Sequence, residues 1–92
     1  MTNELIKMAE NFSVDEAAKF RESTYRMISK GPTHFELDFI NCTFIDSTGL
    51  GVLVSLFKKC QENRSEMVLK NINADIMKIF HMTRLDNVFD IK

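Results

Sequence analysis

Residues 35–40 alternate strictly: Phe35, Leu37 and Phe39 fall to one side, with Glu36 and Asp38 between them. A period of two marks a strand with one buried face. A sheet covered on both faces would be apolar throughout, so the alternation predicts helices mainly on one side. After residue 47 the period changes. Leu50, Leu53, Val54, Phe57 and Cys60 recur at helical spacing and predict an amphipathic helix over about 48–63. That stripe sets Thr48, Val52, Ser55 and Lys59 on the opposite, exposed side, with Val52 as an apolar residue facing water.

The flanking segments repeat the two patterns. Residues 5–9 are a short extended candidate. Ser13 and Glu16 have the spacing of a capping box, and Val14, Ala17, Ala18, Phe20, Tyr25, Met27 and Ile28 then form the apolar arc of a helix reaching Ser29. Arg21 falls inside that arc, its stem placed to pack and its head to reach water. Gly31 and Pro32 end the helix. Residues 41–43 form a turn into the short extended pair Phe44 and Ile45. Residues 66–69 predict a further strand. Asn73 is a candidate N-cap for a helix burying Ile76, Ile79 and Phe80, and residues 88–91 suit a last strand. Strands and helices alternating in this order describe an α/β domain with parallel or mixed pairing, residues 1–92 forming one unit. Phe35, Leu37, Phe39, Leu50, Leu53, Phe57, Ile76, Ile79 and Phe80 are expected to share one core.

Composition narrows the classes of function. Ninety-two residues with 45% hydrophobic and 27% charged side chains suit one small globular domain. A net charge of −1 offers no bulk attraction to nucleic acid or to acidic membranes. No apolar run is long enough to span a bilayer, and the first residues lack the pattern of a signal peptide, so a cytoplasmic location is expected. Cys42 and Cys60 lack metal-like spacing, and His34 and His81 stand far apart. No metal and no cofactor is expected.

The candidate chemistry lies between strand and helix, in Phe44-Ile45-Asp46-Ser47-Thr48-Gly49-Leu50-Gly51-Val52. Asp46 and Ser47 carry short oxygen-bearing side chains where the first amides of a helix lack partners. Gly49 and Gly51 allow close backbone approach. A hydroxyl at a helix N-terminus is also well placed to carry a phosphate. Catalytic alternatives are weaker: the Asp-Ser-Thr-Gly run is one residue too long for the turn of an aspartic protease. Ser47 has no nucleophile elbow, and no nucleotide-binding glycine loop is present. No enzyme is expected.

The run Phe44 to Val52 resembles the phosphorylation-site segment of the STAS-domain anti-sigma-factor antagonists of bacteria. The likeness continues through Phe57-Lys58-Lys59, Glu66-Met67-Val68 and residues 79–85. It implies a mixed β-sheet with helices packed mainly on one face. It also implies a phosphorylation-regulated interaction switch, with Ser47 the acceptor and Thr48 the second choice. Asp46, Ser47, Thr48, Gly49, Gly51, Val52, Ser55 and Lys59 would meet the partner. That partner would be an anti-sigma factor with serine kinase activity, bound while Ser47 is unmodified and released on phosphorylation, with a PP2C-like phosphatase resetting the switch. A constitutive scaffold or a small-ligand module without the switch is the alternative. Against the family pattern the chain is short at both ends, with room for one strand before the first helix. Arg84 stands where glycine is frequent, so a different turn is expected there. The oligomeric state is left open.

Overall fold

The alternating strand lies inside a four-stranded sheet. The computed structural model describes residues 1–92. It contains β1 (Thr2–Lys7), β2 (Asn11–Phe12), α1 (Val14–Ser29), β3 (Thr33–Asp38), β4 (Phe44–Ile45), α2 (Ser47–Glu62), β5 (Glu66–Lys70), α3 (Ala74–Met82) and β6 (Asp90–Ile91). The main sheet runs β1-β3-β5-β6, and β2 pairs with β4 in a separate two-stranded ribbon. The α/β class and the one-sided packing of the helices stand, but every pairing is parallel rather than mixed. The reason is connectivity. A helix or a long turn returns the chain to the same end before each new strand, and β1 and β2 form no antiparallel hairpin. Two strands, not one, precede α1, although β2 has only two residues.

Parity in β3 decides where the core sits. Thr33, Phe35 and Leu37 are buried on one face, and Phe35 and Leu37 pair with Met67 and Leu69 of β5, which continue that face. The other face is polar. Its Lys70 Nζ lies 2.7 Å from Glu36 Oε1, and His34 Nδ1 lies 3.0 Å from Glu66 Oε1. Val68 is the exception, a buried apolar residue on this open face that stays outside the main core cluster. Where β3 ends, Asp38 accepts hydrogen bonds from the Asn71 side-chain amide and the Ile40 backbone amide, both at 3.0 Å. These bonds, the Asn71 one foremost, hold its carboxyl below the usual carboxylate range.

The expected core is present, with changes at its margins. Phe35, Leu37, Phe39, Leu53, Ile76 and Phe80 are buried in one cluster, and Leu50, Phe57 and Ile79 pack half-buried against it. Edge-to-face contacts run from Phe39 to Phe80 to Phe89, at centroid distances of 6.2 and 5.7 Å. In α1, Val14 is 60% exposed and Ala18 is also exposed. Thr24 takes a core position instead, its hydroxyl donating to the Phe20 carbonyl at 2.8 Å. That local bond satisfies the one polar group a buried threonine brings. Arg21 reaches water and stacks its guanidinium 5.0 Å from the Tyr25 ring centroid.

Two helix ends depart from expectation. Ser13 is the N-cap residue of α1, yet its side chain makes no capping hydrogen bond, so the capping box with Glu16 does not form. Its backbone carbonyl accepts the first helical bond, from Ala17, at 2.7 Å. After α3, Arg84 adopts a left-handed backbone (φ 61°) before a short 3-10 turn at Leu85–Asn87. The turn glycine would make is therefore kept, with Arg84 bearing a backbone cost of ~1–2 kcal/mol.

Candidate functional site

The chain reaches the candidate site through β4. The ribbon pairing sets Asn11 opposite Phe44 and Phe12 opposite Ile45. The Thr43 and Phe44 amides both donate to the Glu10 carbonyl, at 2.8 and 3.1 Å. The Asn73 side-chain amide reaches across to the Cys42 carbonyl at 2.9 Å. This also ties the opening of α3, where Asn73 Oδ1 accepts the Ile76 amide at 2.9 Å. Segments far apart in sequence thus fix the approach to α2.

At the helix opening the division of labour is clear. Asp46 has extended backbone, and its carboxylate accepts the Gly49 amide at 2.8 Å. Its carbonyl accepts the Leu50 amide at 2.9 Å. Ser47 is the first residue of α2, one place earlier than expected, and it is exposed. Its hydroxyl enters none of the side-chain hydrogen bonds of the fold. Asp46 does the capping, and Ser47 Oγ is left to solvent at the positive end of the helix dipole.

The two glycines differ. A Cβ on Gly49 would lie 2.4 Å from the Phe12 carbonyl oxygen and 2.9 Å from side-chain atoms of Ile45 and Phe12. Gly49 is the point where α2 crosses the β2–β4 ribbon, and no other side chain fits. Gly51 is exposed, and a Cβ there would meet nothing within 4 Å. The expectation of close approach holds for Gly49 and fails for Gly51, because only the former faces the ribbon.

The expected exposed stripe also needs correction. Thr48 is exposed, but Val52, Ser55 and Lys59 are half-buried. The buried residues of α2 are Gly49, Leu53, Leu56 and Cys60, so the inward direction is rotated towards Leu56, and α1 packs along the flank. Val52 and Thr48 line a shallow groove with Val14, Ala18, Arg21 and Tyr25 of α1. Lys59 Nζ lies 5.3 Å from the Tyr25 ring centroid. Sequence reasoning missed two apolar residues near the opening: Val14, 60% exposed beside Thr48, and Phe44, 51% exposed at the start of β4. Phe44 pairs with polar Asn11 in the ribbon, a neighbour that no periodic pattern in the sequence marks.

The thiols are inert by position. Cys42 and Cys60 are free and buried. Burial raises the Cys42 pKa and pushes Cys60 up to about 11, so both stay protonated at neutral pH. No group of three His, Cys, Asp or Glu side chains is placed to hold a metal ion. No helix is long and apolar enough to cross a membrane.

A one-sided, parallel α/β domain that presents a free hydroxyl at a helix opening is the class that fold and site define. The model for the STAS domain matches residues 4–92, and the chain belongs to that family. An anti-sigma-B factor antagonist of Listeria monocytogenes is 36% identical over 56 residues, covering 61% of this chain and 49% of the relative. That stretch spans about half the length of the Listeria relative. An anti-sigma-B factor antagonist of Bacillus subtilis is 27% identical over 94% of this chain and 78% of its own length. In three dimensions the chain is similar to a Thermotoga maritima crystal structure provisionally described as an anti-sigma factor antagonist. The TM-score is 0.83 at 22% identity, over 95% of this chain and 77% of that one, a likeness of fold.

Proposed function

We propose that this chain is an anti-sigma factor antagonist, a binding protein rather than an enzyme, whose affinity for its partner is switched by phosphorylation of Ser47. The observation that carries the reading is that Ser47 Oγ is exposed and unbonded while Asp46 caps the helix. A phosphoacceptor that was also the cap would have to break structure in order to signal. Here the two tasks lie on adjacent residues.

The partner is an anti-sigma factor with serine kinase activity. In the modification, Ser47 Oγ attacks the γ-phosphorus of ATP, the bond to the β-phosphate oxygen breaks, and the hydroxyl proton passes to a base on the kinase. A PP2C-like phosphatase restores the hydroxyl by hydrolysis. The phosphate brings about −1.5 to −2 charge units, which the helix opening tolerates and the docked partner does not. A loss of ~3 kcal/mol in binding weakens a complex more than a hundredfold, enough to release it. Ser47, Thr48 and Gly51 present the contact surface, Asp46 and Gly49 hold its shape, and Val52, Ser55 and Lys59 form its flank against α1. Thr48, also exposed, is the second choice of acceptor.

Wild type and Ser47→Ala are incubated with the cognate kinase and ATP, phosphate is mapped by mass spectrometry, and partner affinity is titrated. The wild type gains one phosphate on Ser47 and loses affinity by about a hundredfold. Ser47→Ala stays folded, unmodified and bound. Absence of phosphate from the wild type, or undiminished binding by the modified form, would sink the switch.

A further inference from the structure

We propose that the groove between α1 and α2 seats an acidic amphipathic helix of the anti-sigma partner. This rests on the function proposed above and adds which face of the chain that partner covers. Val14 lies beside Thr48 where the helices open, and Tyr25 meets Lys59 towards their far ends. The two helices therefore run side by side in the same direction. Ala17 and Phe20 of α1, like Leu53 and Leu56 of α2, are turned to the core, so the groove opens away from the sheet.

Two features of the groove point to its occupant. The first is an apolar floor left open to water. Val14 is 60% exposed, Ala18 is exposed as well, and with Val52 they line a groove of about 570 Å³. Val14, Ala18 and Tyr25 follow one another at helical spacing along a single stripe of α1, and Thr48, Val52 and Lys59 do the same on α2. The side chains of Ala18, Thr48 and Val52 are short, which lets a third helix approach both. An amphipathic helix lays apolar residues one turn apart into a furrow of this kind.

The second is charge. The Arg21 guanidinium and the Lys59 ammonium both lean on the Tyr25 ring, 5.0 and 5.3 Å from its centroid. Neither has a carboxylate partner. Glu22 lines the same groove, but its carboxylate is bonded to Arg26 at 2.9 Å, and Glu16 lies 3.8 Å from Lys19. Two like charges held at one ring without a counter-ion attract a carboxylate from outside, and the planar fork of Arg21 can grip one with two parallel bonds. The opposite end of the groove opens at Thr48, next to Ser47. A helix laid along the groove is therefore continuous with the surface that carries the hydroxyl, and this makes the anti-sigma partner its source.

The cognate anti-sigma factor is titrated with wild type, Arg21→Glu and Ala18→Glu at low and high salt. A photoreactive side chain in place of Val14 maps what lies in the groove. Arg21 and Ala18 are exposed, so both variants should melt close to wild type. Each is expected to raise the dissociation constant about tenfold at low salt, and Arg21→Glu by less at high salt. The crosslink is expected on a helix of the partner that bears carboxylates one turn apart. A complex that Ser47 phosphorylation still releases, but that neither substitution weakens, overturns the groove and leaves the switch standing. Binding that depends on the groove but survives phosphorylation does the reverse. Absence of any complex with wild type overturns both. A crosslink to a second copy of this chain, or to a partner segment without carboxylates, also overturns the proposal. If succinate shifts the amide resonances of the groove while the substitutions leave the complex untouched, the occupant is a small acid and the helix is ruled out.

Discussion

The two long helices, α1 and α2, each have sixteen residues, pack over the same sheet face and begin after an extended residue with an oxygen-bearing side chain. Their openings are nevertheless built to different tolerances. At α2 the Asp46 carboxylate is bonded, Gly49 is wedged against the Phe12 carbonyl, and β4 is tied to β2 and α3. At α1 the Ser13 side chain caps nothing, and Val14, the first helical residue, is 60% exposed. Precision is concentrated at the opening that carries the exposed Ser47 hydroxyl, and slack is accepted where the helix covers the core. This agrees with the expectation that a recognition site needs supporting contacts that fix its geometry.

Substitutions at the two openings can break that contrast or sharpen it. The largest effect is expected from Gly49→Ala, whose methyl group has no space beneath the ribbon. A loss of ~3 kcal/mol or more in a urea titration is expected, and a midpoint near wild type would show that α2 can move away cheaply. Asp46→Ala removes the cap and leaves the Gly49 amide unpaired. It should cost ~1–2 kcal/mol and raise hydrogen exchange in the first turn of α2. Gly51→Ala should act in the opposite sense, stabilising by ~0.5–1 kcal/mol, because the methyl meets nothing and alanine favours the helix. If it also weakens partner binding, Gly51 is retained for the contact surface; unchanged affinity would remove it from that surface. The smallest change is expected at Ser13→Ala, within ~0.5 kcal/mol of wild type by thermal melting. A penalty as large as that of Asp46→Ala would erase the distinction between the openings.

Much of this was legible in the order of residues. The period of two in β3 indicated a one-sided sheet, and the helical period after residue 47 located α2 to within a residue at each end. Asn73 announced the opening of α3 and does cap it. What could not be read depended on distant neighbours. Ser13 and Asp46 are both good cap residues by type and both have extended backbone, yet only the Asp46 side chain turns to the helix amides. Gly49 and Gly51 look alike in sequence, and only the return of β2 beneath α2 separates them. β2 itself is a pair of residues, too short for any periodic signal. A stripe of Leu50, Leu53, Val54, Phe57 and Cys60 turns Val52 towards water, but only Leu53 and Cys60 of that stripe are fully buried. Leu56, outside the stripe, is buried too, and α1 covers the flank where Val52 lies.

The sheet order β1-β3-β5-β6 has a consequence for how the chain acquires its shape. Neighbours in the sheet follow one another along the sequence, with partners such as Thr2 and Thr33, or His34 and Glu66, about thirty positions apart. No strand has to be inserted between two already joined, so the sheet can grow by addition at one edge as the polypeptide is made. Loops of this length close at modest entropic cost. The ribbon closes a loop of similar length, joining Phe12 to Ile45 across α1 and β3. Gly49 can seat against Phe12 only once that contact exists. Ser47 is therefore expected to acquire its native setting only after the N-terminal half has folded.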